Sequence, residues 1–287
     1  MAERRDDFPA DPPIELPPGR IVRVPGRGEF FVRDSAGAGP TVLLLHGWMF
    51  QSDLNWWRCY GPLAAAGYRV LAIDHRGHGR GLRTPADFRL TDCADDAAAV
   101  VSQLACGPVT AVGYSMGGTT AQLLARRHPA LVSGLVLSAT AADWSDKYMR
   151  RFWRTMGALR LVLNLFPTST WRTALRMAGA KHNQTTTWTA AELSRGSSRD
   201  IAEAGRELGR FDSRPWAGAL DVPAVVIVTT RDRSVPPRKQ RELAQLTRAR
   251  TLEIGGDHNA VVLRGHEYAP LLVEAVGALR PAAAHAA

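Results

Sequence analysis

The amino-acid sequence predicts an α/β fold, with a mostly parallel central sheet flanked by helices and a helical cap inserted after the sixth strand. Three observations carry this reading. Short, continuous apolar runs alternate with helix-length segments, the pattern of strands buried on both faces and joined by crossover helices. One run leads straight through Gly113-Tyr114-Ser115-Met116-Gly117 into a helical segment, a strand–turn–helix unit. Between the sixth and seventh runs about 75 residues pass without a strand, which calls for an inserted unit rather than another crossover.

From the N-terminus, residues 1–18 are polar and carry Pro9, Pro12, Pro13, Pro17 and Pro18, so they read as a flexible leader. Two β-type runs follow, Arg20–Val24 and Glu29–Arg33, split by the turn residues Pro25, Gly26 and Gly28. Apolar runs then come at Thr41–Leu45, Arg69–Ile73, Val109–Val112, Gly134–Leu137, Ala224–Val228 and Arg250–Ile254. Helical segments are expected at Asp92–Leu104, Gly117–His128 and Arg238–Leu246, with a closing helix over Ala269–Leu279. The core therefore comprises 19–140 and 217–281, the cap 141–216, and the Ala-rich residues 282–287 a frayed tail. Within the cap, Met149, Phe152, Trp153, Met156 and Leu159 fall at helical spacing, as do Ile201, Ala204 and Leu208.

Composition narrows the class. At 45% hydrophobic and 22% charged the chain matches globular averages, which excludes disordered, collagen-like and coiled-coil proteins. Cys59, Cys93 and Cys106 build neither a disulfide framework nor a zinc finger. With no apolar stretch of signal-peptide or membrane-spanning length, a soluble, cytoplasmic protein is expected. The net charge of +9 comes without a compact Lys/Arg tract or recognition motif, so nucleic acid is not expected as a partner. Residues 141–217 hold 13 basic against 7 acidic side chains, +6 of that total. There Arg150, Arg151 and Arg154 interleave with Phe152 and Trp153. An aromatic face buried on the sheet domain, its arginines solvated, accounts for this without a membrane and is preferred. Peripheral lipid contact by the cap is the other reading; stable insertion is not expected.

The G-x-S-x-G at 113–117 places Ser115 on a sharp turn between strand and helix, its hydroxyl exposed above the sheet. The helix behind it aims free N–H groups at developing negative charge. A serine nucleophile needs a base, and His258 in Gly255-Gly256-Asp257-His258-Asn259 follows the last strand-like run. The orienting carboxylate is sought on a neighbouring loop. Asp232 is favoured; Asp143 is its rival, and Asp257 lies too close to the base in sequence. The loop His46-Gly47-Trp48 can bring the Trp48 N–H beside that of Met116, two donors for an oxyanion.

Together these motifs resemble the α/β-hydrolase fold superfamily, of the serine esterase and lipase type. The resemblance rests on the elbow Gly113–Gly117, on His46-Gly47, on the turn Asp74-His75-Arg76-Gly77-His78-Gly79, and on the loops at Asp232 and His258. It covers about residues 20–280. It implies that Asp74–Gly79 is a structural loop rather than a metal cluster, and no metal or other cofactor is expected. Relatives with an aspartate nucleophile, such as haloalkane dehalogenases and epoxide hydrolases, are disfavoured because residue 115 is serine.

The implied activity is a serine hydrolase cleaving a carboxylic ester with an apolar acyl or ring portion, through an acyl-enzyme on Ser115. Trp48, Trp144, Phe152 and Trp153 are expected to line the substrate pocket. Thioesterase, lactonase, C–C bond hydrolase and perhydrolase chemistry, or a non-catalytic ligand-binding role, are the alternatives.

Overall fold

The computed structural model describes residues 12–177 and 179–279. All eight expected runs are strands: β1 (Gly19–Val24), β2 (Gly28–Asp34), β3 (Thr41–Leu45), β4 (Arg69–Ile73), β5 (Val109–Tyr114), β6 (Val132–Ser138), β7 (Ala224–Thr229) and β8 (Arg250–Ile254). They form one sheet in the order β1-β2-β4-β3-β5-β6-β7-β8. The β1–β2 and β2–β4 pairs are antiparallel and the remaining pairs parallel. Strand β3 shows why unbroken apolar runs were the signal: all five residues are buried. Leu43 and Leu45 join the cluster on one face, while Val42 and Leu44 pack with Tyr268 and Leu272 on the other. Each such side chain contributes roughly 1.5–3 kcal/mol by leaving water.

Helices α1 (Ser52–Trp56) and α2 (Tyr60–Ala65) fill the crossover after β3, α3 (Leu90–Gln103) the one after β4, and α4 (Met116–Arg127) the one after β5. Between β6 and β7 stand α5 (Lys147–Trp153), α6 (Met156–Leu165), α7 (Pro167–Met177), α8 (Gln184–Leu193) and α9 (Ser198–Leu208). Helix α10 (Pro237–Leu246) joins β7 to β8, and α11 (Ala260–Leu263) and α12 (Gly265–Gly277) end the described chain. Helices α1, α2 and α11 have no counterpart in the expected elements, because segments of 5, 6 and 4 residues are too short to show a 3.6-residue period.

The insertion leaves and rejoins the core at one point. Asp143 and Asp212 form an antiparallel bridge, and Ser213 N donates to the Ala142 carbonyl at 2.7 Å. Lys239 of α10 clamps this root: its Nζ lies 2.9 Å from Asp143 Oδ1 and 3.3 Å from Asp146 Oδ2. At its far end the insertion rests on loops at the C-terminal edge of the sheet. Ser197 N donates to the Gly77 carbonyl at 2.8 Å, and Trp48 Nε1 to that of Ile201 at 2.7 Å.

Of the expected flexible leader, residues 1–11 lie outside the described residues, as does the tail 282–287. The end of the leader is fastened rather than loose. The Pro17 carbonyl accepts from Arg33 Nη1 at 2.9 Å, that of Pro18 from Asp34 N at 3.1 Å, and Leu16 packs on the core. Among the described residues no helix is long and apolar enough to cross a membrane.

The turn after β4 is a buried polar knot. Asp74 accepts from Ser52 N and Arg80 N, both at 2.9 Å, and from the Ser52 hydroxyl. Burial alone would raise its carboxyl; the Arg80 guanidinium and the hydrogen bonds from Ser52 and Arg80 N outweigh that and hold it below the ordinary carboxylate range. His46 Nδ1 donates to the Gly47 carbonyl at 2.8 Å, and its Nε2 accepts from His75 N at 2.9 Å. Burial lowers the imidazoles of His46, His75 and His78, the last to about 3. All three are therefore neutral in the fold, whereas the unfolded chain takes up their protons below about pH 6.5. Stability from this source is full above that pH and is lost as pH falls below it, for His78 until its folded value of about 3 is reached. Urea unfolding from pH 7.5 down to 5 should show a falling midpoint, starting near pH 6.5. A midpoint constant over that range would contradict the assignment of three neutral buried imidazoles.

Candidate active site

Strand β5 runs into α4 through Ser115, whose backbone is forced to φ 55° and ψ −118°. A serine reaches this left-handed region only at a cost of about 1–3 kcal/mol. The flanking glycines make the turn geometrically possible. A Cβ on Gly117 would fall inside the Leu45 carbonyl of β3, and one on Gly113 would fall on the Gly117 carbonyl. Ser115 N donates to Ser138 O at 2.9 Å, and Gly118 N to Ser115 O at 2.9 Å, so the turn is pinned from both sides.

The parallel strands deliver three further loops to the same edge. His258, after β8, has Nε2 2.9 Å from Ser115 Oγ and Nδ1 2.7 Å from Asp232 Oδ2. A carboxylate can only accept, so Nδ1 carries the proton and Nε2 is left to accept from the serine hydroxyl. The histidine loop is tied down by Tyr114, whose hydroxyl donates to the His258 carbonyl at 2.8 Å. Asp232, after β7, is buried and fully satisfied. Its Oδ1 accepts from Ser234 N at 2.8 Å and Val235 N at 2.9 Å, and its Oδ2 from Thr229 Oγ1 at 2.9 Å. Gln240 of α10 fixes Thr229 in turn, donating to its Oγ1 at 2.8 Å and accepting from its N at 3.0 Å.

The rival carboxylate is engaged elsewhere. Asp143 accepts from Ser145 Oγ at 2.6 Å and Lys239 Nζ at 2.9 Å. Burial would raise it, but these two partners bring it down to about 2. It is a structural ion at the root of the insertion and has no hydrogen bond to His258 among the described residues.

Opposite the elbow, Gly47 N donates to Asn55 Oδ1 at 2.9 Å, which fixes the loop bearing Trp48. The backbone N–H groups of Trp48 and Met116 have no hydrogen-bond partner among the described residues. Met116 is the first residue of α4, where N–H groups are left free by helix geometry. Beside Ser115 lies a small cavity of about 30 Å³, bordered by Gly47, Trp48, Phe50, Asn55, Ser115 and His258 among others.

Of the residues expected to line a pocket, only Trp48 borders this cavity. Trp144 and Trp153 are buried in the main core cluster. The Trp144 indole donates to Thr119 Oγ1 at 3.3 Å, and the Trp153 indole to the Trp144 carbonyl at 3.4 Å. Phe152 packs edge-on against Trp48, with ring centroids 5.9 Å apart. Phe152 and Trp153 pack on the Trp48 ring, and Trp144 links Trp153 to Thr119 of α4.

Three residues at the site carry no motif of their own: Thr229, Gln240 and Asn55. Thr229 ends the seventh strand and Asn55 lies nine positions beyond His46, spacings that acquire meaning only once α1 and α10 are in place. Asn55 Nδ2 is buried with no hydrogen-bond partner among the described residues, and Asn55 belongs to the cavity wall.

A serine hydroxyl hydrogen-bonded to a histidine–aspartate pair at the C-terminal edge of a mostly parallel sheet is an arrangement to set beside known proteins. Residues 40–264 match the family model described as alpha/beta hydrolase fold. The chain belongs to that family. It is similar to the pimeloyl-[acyl-carrier protein] methyl ester esterase of Chromobacterium violaceum, 31% identical over 74% of this chain and 84% of that protein. It is also similar to a non-heme haloperoxidase of Rhodococcus erythropolis, 39% identical over 36% of each chain. The match thus spans about a third of the haloperoxidase's length. Among solved structures, an esterase from Exiguobacterium antarcticum superposes with a TM-score of 0.78 at 21% identity, covering 91% of this chain and all of that one.

The two carboxylates can be told apart by serine reactivity. Asp232→Asn turns an amide toward His258 and imposes the wrong tautomer, so fluorophosphonate labelling of Ser115 should slow about 10³–10⁴-fold. Asp143→Asn should change the labelling rate by less than about threefold, while lowering the melting temperature through the loss of one of Lys239's two carboxylate partners. The reverse pattern would make Asp143 the acid.

Proposed function

We propose that the chain is a serine hydrolase that cleaves carboxylic esters through an acyl-enzyme on Ser115. The observation that carries this reading is the unbroken hydrogen-bonded row from Ser115 Oγ through His258 to Asp232, at 2.9 and 2.7 Å. His258 takes the Ser115 proton as the oxygen attacks the ester carbonyl, and Asp232 stabilises the resulting imidazolium. The Trp48 and Met116 N–H groups receive the oxyanion, each contributing about 2.7–4 kcal/mol to the barrier reduction. His258 then protonates the departing alcohol, and a water follows the same route to release the acid.

An ester is favoured within the family by the most extensively aligned relative described above, which carries a methyl ester esterase name. The apolar character of the acyl or ring portion is supported by Trp48, Phe50, Val261 and Val262 around the cavity. The insertion is read as a cap, supported by Trp48, which borders the cavity and donates to the Ile201 carbonyl of α9. The free, buried cysteines fit a cytoplasmic setting, which is part of the same proposal.

Ser115→Ala removes the nucleophile and a side chain that holds no other element together. Hydrolysis of p-nitrophenyl acetate and butyrate should drop to the level of buffer, with circular dichroism and melting temperature retained. Turnover at the parental rate by the folded variant would remove Ser115 from the mechanism.

A further inference from the structure

Helix α6 carries two apolar stripes, where a helix resting on a protein needs one. Met156, Leu159 and Leu163 repeat at i, i+3 and i+7; Met156 and Leu163 are buried and Leu159 packs on the core. Ala158, Leu161, Val162 and Leu165 repeat at equivalent spacing on the opposite side and are exposed. Leu161 and Leu165 keep 59% and 57% of their surface in solvent, and Phe166, which closes the helix, 59%. The next helix, α7, buries none of its residues.

Charge in this part of the insertion is of one sign. The 45 residues from Lys147 to Ala191 contain eight lysines and arginines and no aspartate or glutamate. Several arginines of the core are ion-paired, as in Arg33–Asp53, Arg76–Asp96 and Arg80–Asp53. Among the described residues, Arg151, Arg154, Arg160 and Arg176 have no such partner.

We propose that α6 and α7 form a docking surface for an anionic phospholipid bilayer. Leu161, Leu165 and Phe166 enter the boundary between headgroups and acyl chains, and the arginines of this part of the insertion meet lipid phosphates. An acidic protein is the competing occupant. A protein partner is held in register by charges of both signs and by an aromatic, hydrogen-bonding centre. A segment without one acidic residue, exposing a row of aliphatic side chains, attracts without fixing register, which suits a laterally uniform surface. The inference is independent of the chemistry at Ser115.

The test is flotation of the full chain with vesicles of phosphatidylcholine alone or with a third phosphatidylglycerol, and with purified acyl carrier protein as the acidic-protein alternative. The chain should float with the phosphatidylglycerol vesicles, less so at high salt, and not with phosphatidylcholine alone. Leu165→Asp/Phe166→Asp and Arg160→Glu/Arg176→Glu should each lower partitioning by more than about tenfold, given roughly fivefold per cation, with the circular dichroism spectrum unchanged. No flotation, equal flotation on both vesicles, partitioning that neither double variant alters, or retention by acyl carrier protein in place of vesicles would overturn the proposal.

Discussion

The close approach of the β5–α4 turn to the Leu45 carbonyl is the constraint on which the rest of the site depends. There is no room at residue 117 for any side chain, and Ser115 is bent into a conformation that serine avoids. The strain of about 1–3 kcal/mol persists because a five-residue buried strand on one side and a twelve-residue helix on the other hold the turn. The bend lifts the hydroxyl clear of the sheet, and the same bend leaves the Met116 N–H at the start of a helix, free to act as a donor.

Parallel topology supplies the rest. Strands β3, β5, β7 and β8 point the same way, so the loops that follow them gather at one edge however far apart they lie in sequence. Each loop is then fixed by a partner outside the reacting groups. Asn55 holds the Trp48 loop, Tyr114 holds the His258 loop, and Thr229 backed by Gln240 holds Asp232. The knot around Asp74, with neutral His46 packed against His75 at 4.4 Å between ring centroids, supports the floor beneath the Trp48 loop. Among its histidines, His46 is engaged at both ring nitrogens, by the Gly47 carbonyl and by His75 N.

How much of this could be read from sequence follows from what each element is made of. Strands buried on both faces leave continuous apolar runs, so all eight were legible. Ser115, Asp232 and His258 could be picked out because each follows a strand, and a parallel sheet brings such positions together. The wall of the cavity was not legible. Trp144, Phe152 and Trp153 were assigned to it for their aromatic character, but their neighbours are set by how α5, α6 and α9 pack on each other, a long-range fact that spacing does not encode. Asn55 was missed for a related reason: its role arises from a helix of five residues. The basic, aromatic cap sequence was read chiefly as a covered face. The inward stripe of α6 fits that reading, while the exposed outer stripe does not.

The central claim, a covalent acyl intermediate on Ser115, is open to direct measurement. Acid quench within the first turnover of a p-nitrophenyl ester, followed by mass spectrometry of the digested chain, should find the acyl group on the peptide that contains Ser115. An adduct on a different residue, or steady release of acid with no adduct at any time, would contradict it.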